Sequence, residues 1–355
     1  MIKRAYKYRL YPSKGQEIKF SMAFGHCRFV YNKLVESFNN KVESKTLPQL
    51  KSEFSFLSDV SCATLQQKYR DFIEFKQQFF NKSRKTKLGK PRFKKRGIND
   101  SFRLPNQKFK IVGSKIQLER IGKVNFVCDR EIPQNSKFLS VTVSRNSAGQ
   151  YFASVLVECH VEELPKTNKS VGVDLGIKSF VITSDGKEFA SNRFFRDNQS
   201  KLRTAQKHFA RKKKGSSRHK KCKLKVARIH QTISNQREYF LHQVSNYLVL
   251  NYDKIVIEDL NVKGMVKNRK LAKSISDASF SKFRSQLTYK CDCYGRELII
   301  ADRFYPSSKT CLCCGNVKKE LKLSERIYKC EVCLFEIDRD LNAAINLRSV
   351  GVSAA

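Results

Sequence analysis

The spacing of apolar positions divides the chain into two regions of different texture. Residues 2–11 alternate basic and apolar side chains, with Lys3, Arg4, Lys7 and Arg9 set among Ile2, Tyr6, Tyr8 and Leu10. That period of two predicts a strand. Pro12-Ser13 ends it, and residues 17–38 carry Phe20, Phe24, Phe29, Leu34 and Phe38 at helical spacing. Residues 62–80 repeat the signature with Leu65, Tyr69, Phe72, Phe75, Phe79 and Phe80. Such aromatic stripes predict helix–helix core rather than a base-stacking platform. Next comes a basic loop over 81–95, with Lys82, Arg84, Lys85, Lys87, Lys90, Arg92, Lys94 and Lys95 around Gly89-Lys90-Pro91. Short strand-like runs follow at 109–112, 115–118, 124–127, 139–143 and 151–157, punctuated by Gly113, Gly122, Asn146 and Gly149. Short strands with such turns predict a small β-barrel.

Pro165 among polar residues marks 162–169 as a linker, and the pattern changes beyond it. Runs at 171–176 and 180–183 read as two strands joined by a turn, and 194–250 as a long basic helical region. Residues 254–258 and 298–301 read as buried strands and 341–350 as a closing helix. Strands alternating with helices predict an α/β sheet domain. There is no internal repeat.

Charge narrows the function. The 355 residues include 71 Lys and Arg against 32 Asp and Glu, a net charge of +39. A compact fold with that charge repels itself until a polyanion neutralises it. Apolar runs all fall short of the roughly 18 residues that span a bilayer, and no signal peptide opens the chain. Basic residues recur along the whole length, which favours nucleic acid over a membrane surface. Twelve of them lie in residues 201–225 without one acid, among them Arg211, Lys212, Lys213 and Lys214. Such a run tracks phosphates or forms a solvated helix face.

Of 12 Cys, four form two Cys-x-x-Cys pairs, Cys311/Cys314 and Cys330/Cys333, with fifteen residues between them. In a long chain that reads as cytoplasmic, this is the spacing of a tetrahedral zinc ribbon rather than of disulfides. Gly315 after Cys314 suits the knuckle turn, which leaves Cys313 a bystander. Leu334 stands where the second knuckle would carry Gly, and it strains that turn. The six His show no ligand or triad spacing, so the chemistry is not expected to run on imidazole.

The acids suggest what the chemistry is. Asp174 lies in an apolar strand run between Gly172 and Gly176, Glu258 ends Ile255-Val256-Ile257, and Asp338 and Asp340 precede the closing helix. Functional groups gather at strand ends in open α/β sheets. Converging carboxylates need cations, and two Mg²⁺ roughly 3.5–4 Å apart can activate water and stabilise a leaving oxygen. Each acid taken singly has a blander reading. Gly-Val-Asp-Leu-Gly also fits the phosphate loop of actin-like ATPases, and the other acids can cap helices.

Together, Tyr8-Arg-Leu-Tyr-Pro12, Arg28-Phe-Val-Tyr-Asn32, Gly172-Val-Asp-Leu-Gly-Ile-Lys178, Arg211-Lys-Lys-Lys-Gly-Ser216 and Ile257-Glu-Asp-Leu260 form an ordered set. Ser274-Ile-Ser-Asp277, Pro306-Ser-Ser-Lys309 and Asp338-Arg-Asp-Leu-Asn-Ala-Ala344 continue it. The set resembles the TnpB/OrfB proteins of bacterial insertion sequences, compact relatives of type V CRISPR effectors, over nearly the whole chain.

The resemblance implies an RNA-guided DNA endonuclease with an RNase H-like (RuvC-type) domain whose triad is Asp174, Glu258 and Asp340. Asp340 is taken over Asp338 because the family's last acid is the Asp of Asp-x-Asn-Ala-Ala. It implies catalytic Mg²⁺, a structural Zn²⁺, a guide RNA from the transposon end, and double-stranded target DNA bearing a short adjacent motif. Gln66 matches a flanking-motif contact, although Cys62 stands where a basic residue is expected; a plain surface helix residue is the other reading. The implied organisation is a wedge strand (1–12), a helical recognition lobe (13–90) and a wedge-like barrel (91–165). A nuclease domain (166–307 and 337–355) follows, interrupted by the ribbon (308–336). The expected location is the cytoplasm of a bacterium or archaeon, at the nucleoid. Rival readings are an RNA-guided regulator that binds without cutting and a DNA-joining transposase.

Overall fold

A computed structural model of the chain describes residues 1–353 except 85, 323 and 324, so Lys85 of the basic loop lies outside the described residues. The chain forms two compact units, Met1–His160 and Val161–Ala355.

The first unit is built on a seven-stranded antiparallel sheet. Its strands are β1 (Ile2–Tyr11), β2 (Asp100–Pro105), β3 (Phe109–Val112), β4 (Lys115–Leu118), β5 (Gly122–Val127), β6 (Lys137–Arg145) and β7 (Tyr151–Cys159). They lie in the order β2-β6-β7-β1-β5-β4-β3. The first strand sits near the middle, with Tyr6, Tyr8 and Leu10 buried and the basic positions between them turned outward. Helices α1 (Lys14–Asn39), α2 (Leu47–Glu53) and α3 (Cys62–Phe80) interrupt the sheet in sequence. Ser13 caps α1, its side chain accepting from the Gln16 backbone while Gln16 reaches back to the Ser13 N–H.

The aromatic stripe of α1 divides its work. Phe20 and Phe24 pack on the sheet against Phe102 and Tyr151, with ring centroids 5.4–6.0 Å apart. Tyr31 and Phe38 pack edge-on against Phe72 of α3. Sheet core and helix–helix core therefore share one stripe. The pattern along the chain did not single out β2, which is held by Phe102 and Leu104 and by the buried Asp100 between Arg28 and Arg145.

The second unit carries a five-stranded sheet of β8 (Ser170–Leu175), β9 (Ser179–Thr183), β10 (Glu188–Ala190), β11 (Lys254–Glu258) and β12 (Glu297–Ala301), in the order β10-β9-β8-β11-β12. The pairs β8/β9 and β9/β10 are antiparallel, and β11 is parallel to both β8 and β12. Helices α4 (Phe194–Asp197), α5 (Gln199–Ala210), α6 (Ser217–Asn251), α7 (Val262–Met265), α8 (Ala272–Ala278) and α9 (Phe280–Tyr294) precede a small hairpin of β13 (Ile327–Lys329) and β14 (Glu336–Asp338). Helix α10 (Arg339–Ser353) closes the chain.

Strand parity decides which face each helix covers. Val171, Val173, Leu175, Ile255 and Ile257 enter one core with Leu241, Val244 and Leu248 of α6 and Phe280, Phe283 and Leu287 of α9. Val256 points the other way and packs with Ala301 and Leu347 of α10. On that second face an ideal Cβ on Gly172 would lie 1.9 Å from the Ala344 carbonyl oxygen, so only glycine lets α10 approach.

Two differences from the periodicity have plain causes. The basic region over 194–250 is three helices, because Gly215 at φ +88° and the capping Ser216 fold α5 back on α6. Residues 162–169 have no regular structure but are tied down. Asp253 accepts from the Thr167 and Asn168 amides, and buried Arg296 donates to Asp253 and to the Pro165 carbonyl.

Candidate active site

The carboxylates meet by register. In the parallel pair β8/β11, Val256 lies opposite Gly172 and Ile257 opposite Val173, and the next residues along the two strands are Glu258 and Asp174. In-register residues of parallel strands share a face. Asp174 has the parity of Gly172 and therefore faces α10. From Gly172 to Asp174 the strand advances about 6.6 Å. From Ala344, which covers Gly172, back to Asp340 is one helical turn, about 6 Å. The first turn of α10 thus lies over the end of β8 that carries Asp174.

Electrostatics report the same gathering. Burial, then the charges of Glu258 and Asp340, push the Asp174 carboxyl up to about 8. Arg339 opposes this and Asp338 adds to it. The other acids are held by neighbours. Ser307 Oγ donates to Glu258 Oε1 at 2.5 Å. Asp340 Oδ1 accepts from Arg339 Nε and Nη2 at 3.0 and 2.8 Å, and Arg326 lies 3.8 Å from its other oxygen. Asp338 serves as a cap, its Oδ1 accepting from the amides of Asp340 and Leu341 at 2.9 and 3.0 Å. Among the described residues, the four ribbon cysteines are the one group of three or more His, Cys, Asp or Glu whose ligand atoms all lie within 4.8 Å of one another.

The ribbon is tighter. Cys311 Sγ lies 3.6 Å from Cys333 Sγ, and Cys314 Sγ lies 3.5 Å from Cys330 Sγ. Four thiolates around one tetrahedral ion at about 2.3 Å stand about 3.8 Å apart, so this cage fits a single metal. Backbone N–H groups of Cys333 and Val332 pull the Cys330 thiol down, while hydrogen bonds among the sulfurs push Cys314 and Cys333 up, so the four thiols share protons as one group. Cys313 is exposed and outside the cluster. Gly315 and Leu334, each following the second cysteine of a knuckle, both take positive φ, +74° and +56°.

The basic contacts lie on surfaces. Arg211, Lys213 and Lys214 are exposed and Lys212 half-buried at the turn joining α5 to α6. Gln66 is exposed on α3 beside buried Leu65, in the other unit. The spacing of residues gave no role to Ser307, Asn342 or Asn346, all three buried. Asn342 Nδ2 donates to the Thr310 carbonyl at 2.8 Å, and Asn346 Nδ2 to the Ser307 and Thr310 carbonyls at 2.8 Å each. A Ser and two Asn at i and i+4 carry no chemical signature until the loop they hold is seen beside Glu258.

Three family models match in order. Residues 1–44 match a helix-turn-helix domain of OrfB proteins, 152–269 the OrfB_IS605 family described as a probable transposase, and 280–347 the Cas12f1-like TNB domain. A Streptomyces pristinaespiralis protein provisionally named an RNA-guided DNA endonuclease is 38% identical over all of this chain and 90% of its own length. The chain belongs to the OrfB/TnpB family. The Escherichia coli protein InsQ, also provisionally named an RNA-guided DNA endonuclease, is 32% identical over 98% of this chain and 92% of its own. A solved Cas12f1–sgRNA–target DNA complex aligns over 98% of both chains with a TM-score of 0.54 at 13% identity, a likeness of fold alone. On this TnpB-family chain, Asp174 and Glu258 lie in the transposase match, and Asp340 and the four ribbon cysteines in the TNB match. No helix among the described residues is long and apolar enough to cross a membrane.

Proposed function

We propose that this chain is an RNA-guided DNA endonuclease that cuts with Asp174, Glu258 and Asp340. The observation that carries the reading is the placement of Asp174 beside Glu258 by the β8/β11 register, with the first turn of α10 above them. The strand order, three antiparallel strands followed by two parallel ones with helices on both faces, supports an RNase H-like, RuvC-type domain. Relatives named RNA-guided DNA endonucleases over nearly full length support the substrate and the guide.

In the working site Asp174, Glu258 and Asp340 would hold two Mg²⁺, which supply an activated water and neutralise the leaving 3′ oxygen of a phosphodiester. The chain's part is to present three carboxylates from two adjacent strands and one helix start. Arg339 and Arg326 partly neutralise Asp340 and would compete with a cation for its oxygens. Asp174, whose carboxyl is pushed up by burial and by its acidic neighbours, would be a ligand only in its deprotonated form. The cysteine cage would hold one structural Zn²⁺ that shapes the loop before α10.

Exposed Arg211, Lys213 and Lys214, with half-buried Lys212, would contact the guide RNA or target backbone without reading sequence. Exposed Gln66 would read a base of the target-adjacent motif, as an amide can with adenine. Residues 1–165 would serve target-motif recognition, as wedge strand, recognition lobe and barrel. Residues 166–355 would serve cutting, around a ribbon at 308–336. The guide would come from the transposon end, in a bacterial or archaeal cytoplasm.

The test is direct. With guide RNA and Mg²⁺, Asp174→Ala should bind target and leave both strands intact; cutting at the parental rate would sink the assignment. The retained acids leave no observation that favours a regulator without cleavage.

A further inference from the structure

We infer that Ser307 is a positioning residue for Glu258, and that α10 sets two of the three acids at once. The inference rests on the reading of Asp174, Glu258 and Asp340 as a divalent-cation site. Ser307 is buried and donates from Oγ to Glu258 Oε1 at 2.5 Å. Among the described residues no other side-chain hydrogen bond reaches the Glu258 carboxylate, so the Ser307 hydroxyl orients Oε1 and leaves Oε2 without a side-chain donor.

Ser307 is itself fixed from two sides. Its N–H donates to the Tyr305 carbonyl at 2.9 Å, and its carbonyl accepts from Asn346 Nδ2 at 2.8 Å. Tyr305 returns to the same helix residue, its hydroxyl donating to the Asn346 carbonyl at 3.1 Å. Asn346 also donates to the Thr310 carbonyl, as does Asn342 one helical turn earlier. Thr310 precedes Cys311, so the loop is pinned between α10 and the first knuckle of the ribbon.

The constraints close into a ring. Helix α10 carries Asp340 in its first turn and sits on β8 through Gly172. Through Asn346 and Ser307 it holds Glu258 on β11, which is paired with β8. A partner outside the ligand set that orients a metal-binding carboxylate typically contributes about 10–100-fold in metal affinity or activity.

Mn²⁺ binding to the full-length, RNA-free protein, followed by electron paramagnetic resonance, tests this without cleavage. Asp174→Ala defines the background. Ser307→Ala is expected to weaken Mn²⁺ binding by about 10-fold or more while leaving guide-RNA affinity unchanged. Ser307→Cys, similar in volume with a weak donor, should fall between, and it decides the matter if the alanine variant misfolds. In a Glu258→Gln background the Ser307 substitution should add nothing. Mn²⁺ affinity within twofold of the parent in both Ser307 variants overturns the role of Ser307 while the acidic site stands. An undiminished Ser307 effect in the Glu258→Gln background also overturns it. A parent that binds no more Mn²⁺ than Asp174→Ala overturns the cation site and this inference together.

Discussion

Replacing Gly172 with Ala should disable cleavage without touching a carboxylate. An ideal Cβ there would stand 1.9 Å from the Ala344 carbonyl oxygen and 2.4 Å from the Arg348 nitrogen, both backbone atoms of α10. Ordinary contact begins near 3.4 Å, so helix and strand must part by about 1.5 Å. Neither backbone can swing aside as a flexible side-chain end would. Asp340 moves with the helix while Asp174 stays with the strand. A misplacement of ~1 Å costs on the order of 100-fold in rate, and overpacking of this kind costs about 1–3 kcal/mol. A domain with roughly 5–15 kcal/mol of stability tolerates that loss.

The expected variant is therefore folded, lower-melting and slower by on the order of 100-fold. Single-turnover cleavage of target DNA by guide-loaded protein measures the rate, and calorimetry the melting temperature. Gly89→Ala is the control, since nothing lies within 4 Å of its ideal Cβ. Parental rate together with parental melting temperature in Gly172→Ala would refute the close packing of α10 on β8, and with it the route by which Asp340 reaches the site.

Leu334→Gly should stabilise the ribbon by about 1 kcal/mol, because a left-handed non-glycine is strained. The leucine, 68% exposed at φ +56°, buries little that would be lost; slower metal loss to a chelator is the readout, and unchanged loss would contradict it. Raising the pH should weaken the metal-free fold, since native Asp174 keeps its proton to about pH 8 while the unfolded chain releases it near 3.8. That stabilising contribution is complete below about pH 4 and is lost by about pH 8. Added Mg²⁺ should then raise the thermal midpoint more at pH 8 than at pH 6, and a pH-independent Mg²⁺ effect would count against the coupling. Converting Arg211, Lys212, Lys213 and Lys214 to Gln should flatten the dependence of log guide-RNA affinity on log salt by up to about 3. An unchanged slope would remove the α5–α6 turn from the RNA interface.

Much of this was legible in the chain alone. Alternation over β1, helical spacing over α1 and α3, and apolar runs ending in Asp174 and Glu258 are local signals, because each element buries one face and its period shows in the residues. The paired cysteines announced their cage for the same reason: a knuckle is a local turn. What only the tertiary structure decided is long-range. Register between β8 and β11, more than eighty residues apart in sequence, sets Glu258 beside Asp174. The clearance at Gly172 places α10, and the Asn346–Ser307 contacts hold Glu258 from behind. None of these leaves a periodic trace, since a hydrogen bond across the fold depends on where two backbones come to rest and not on the spacing of residues along either one.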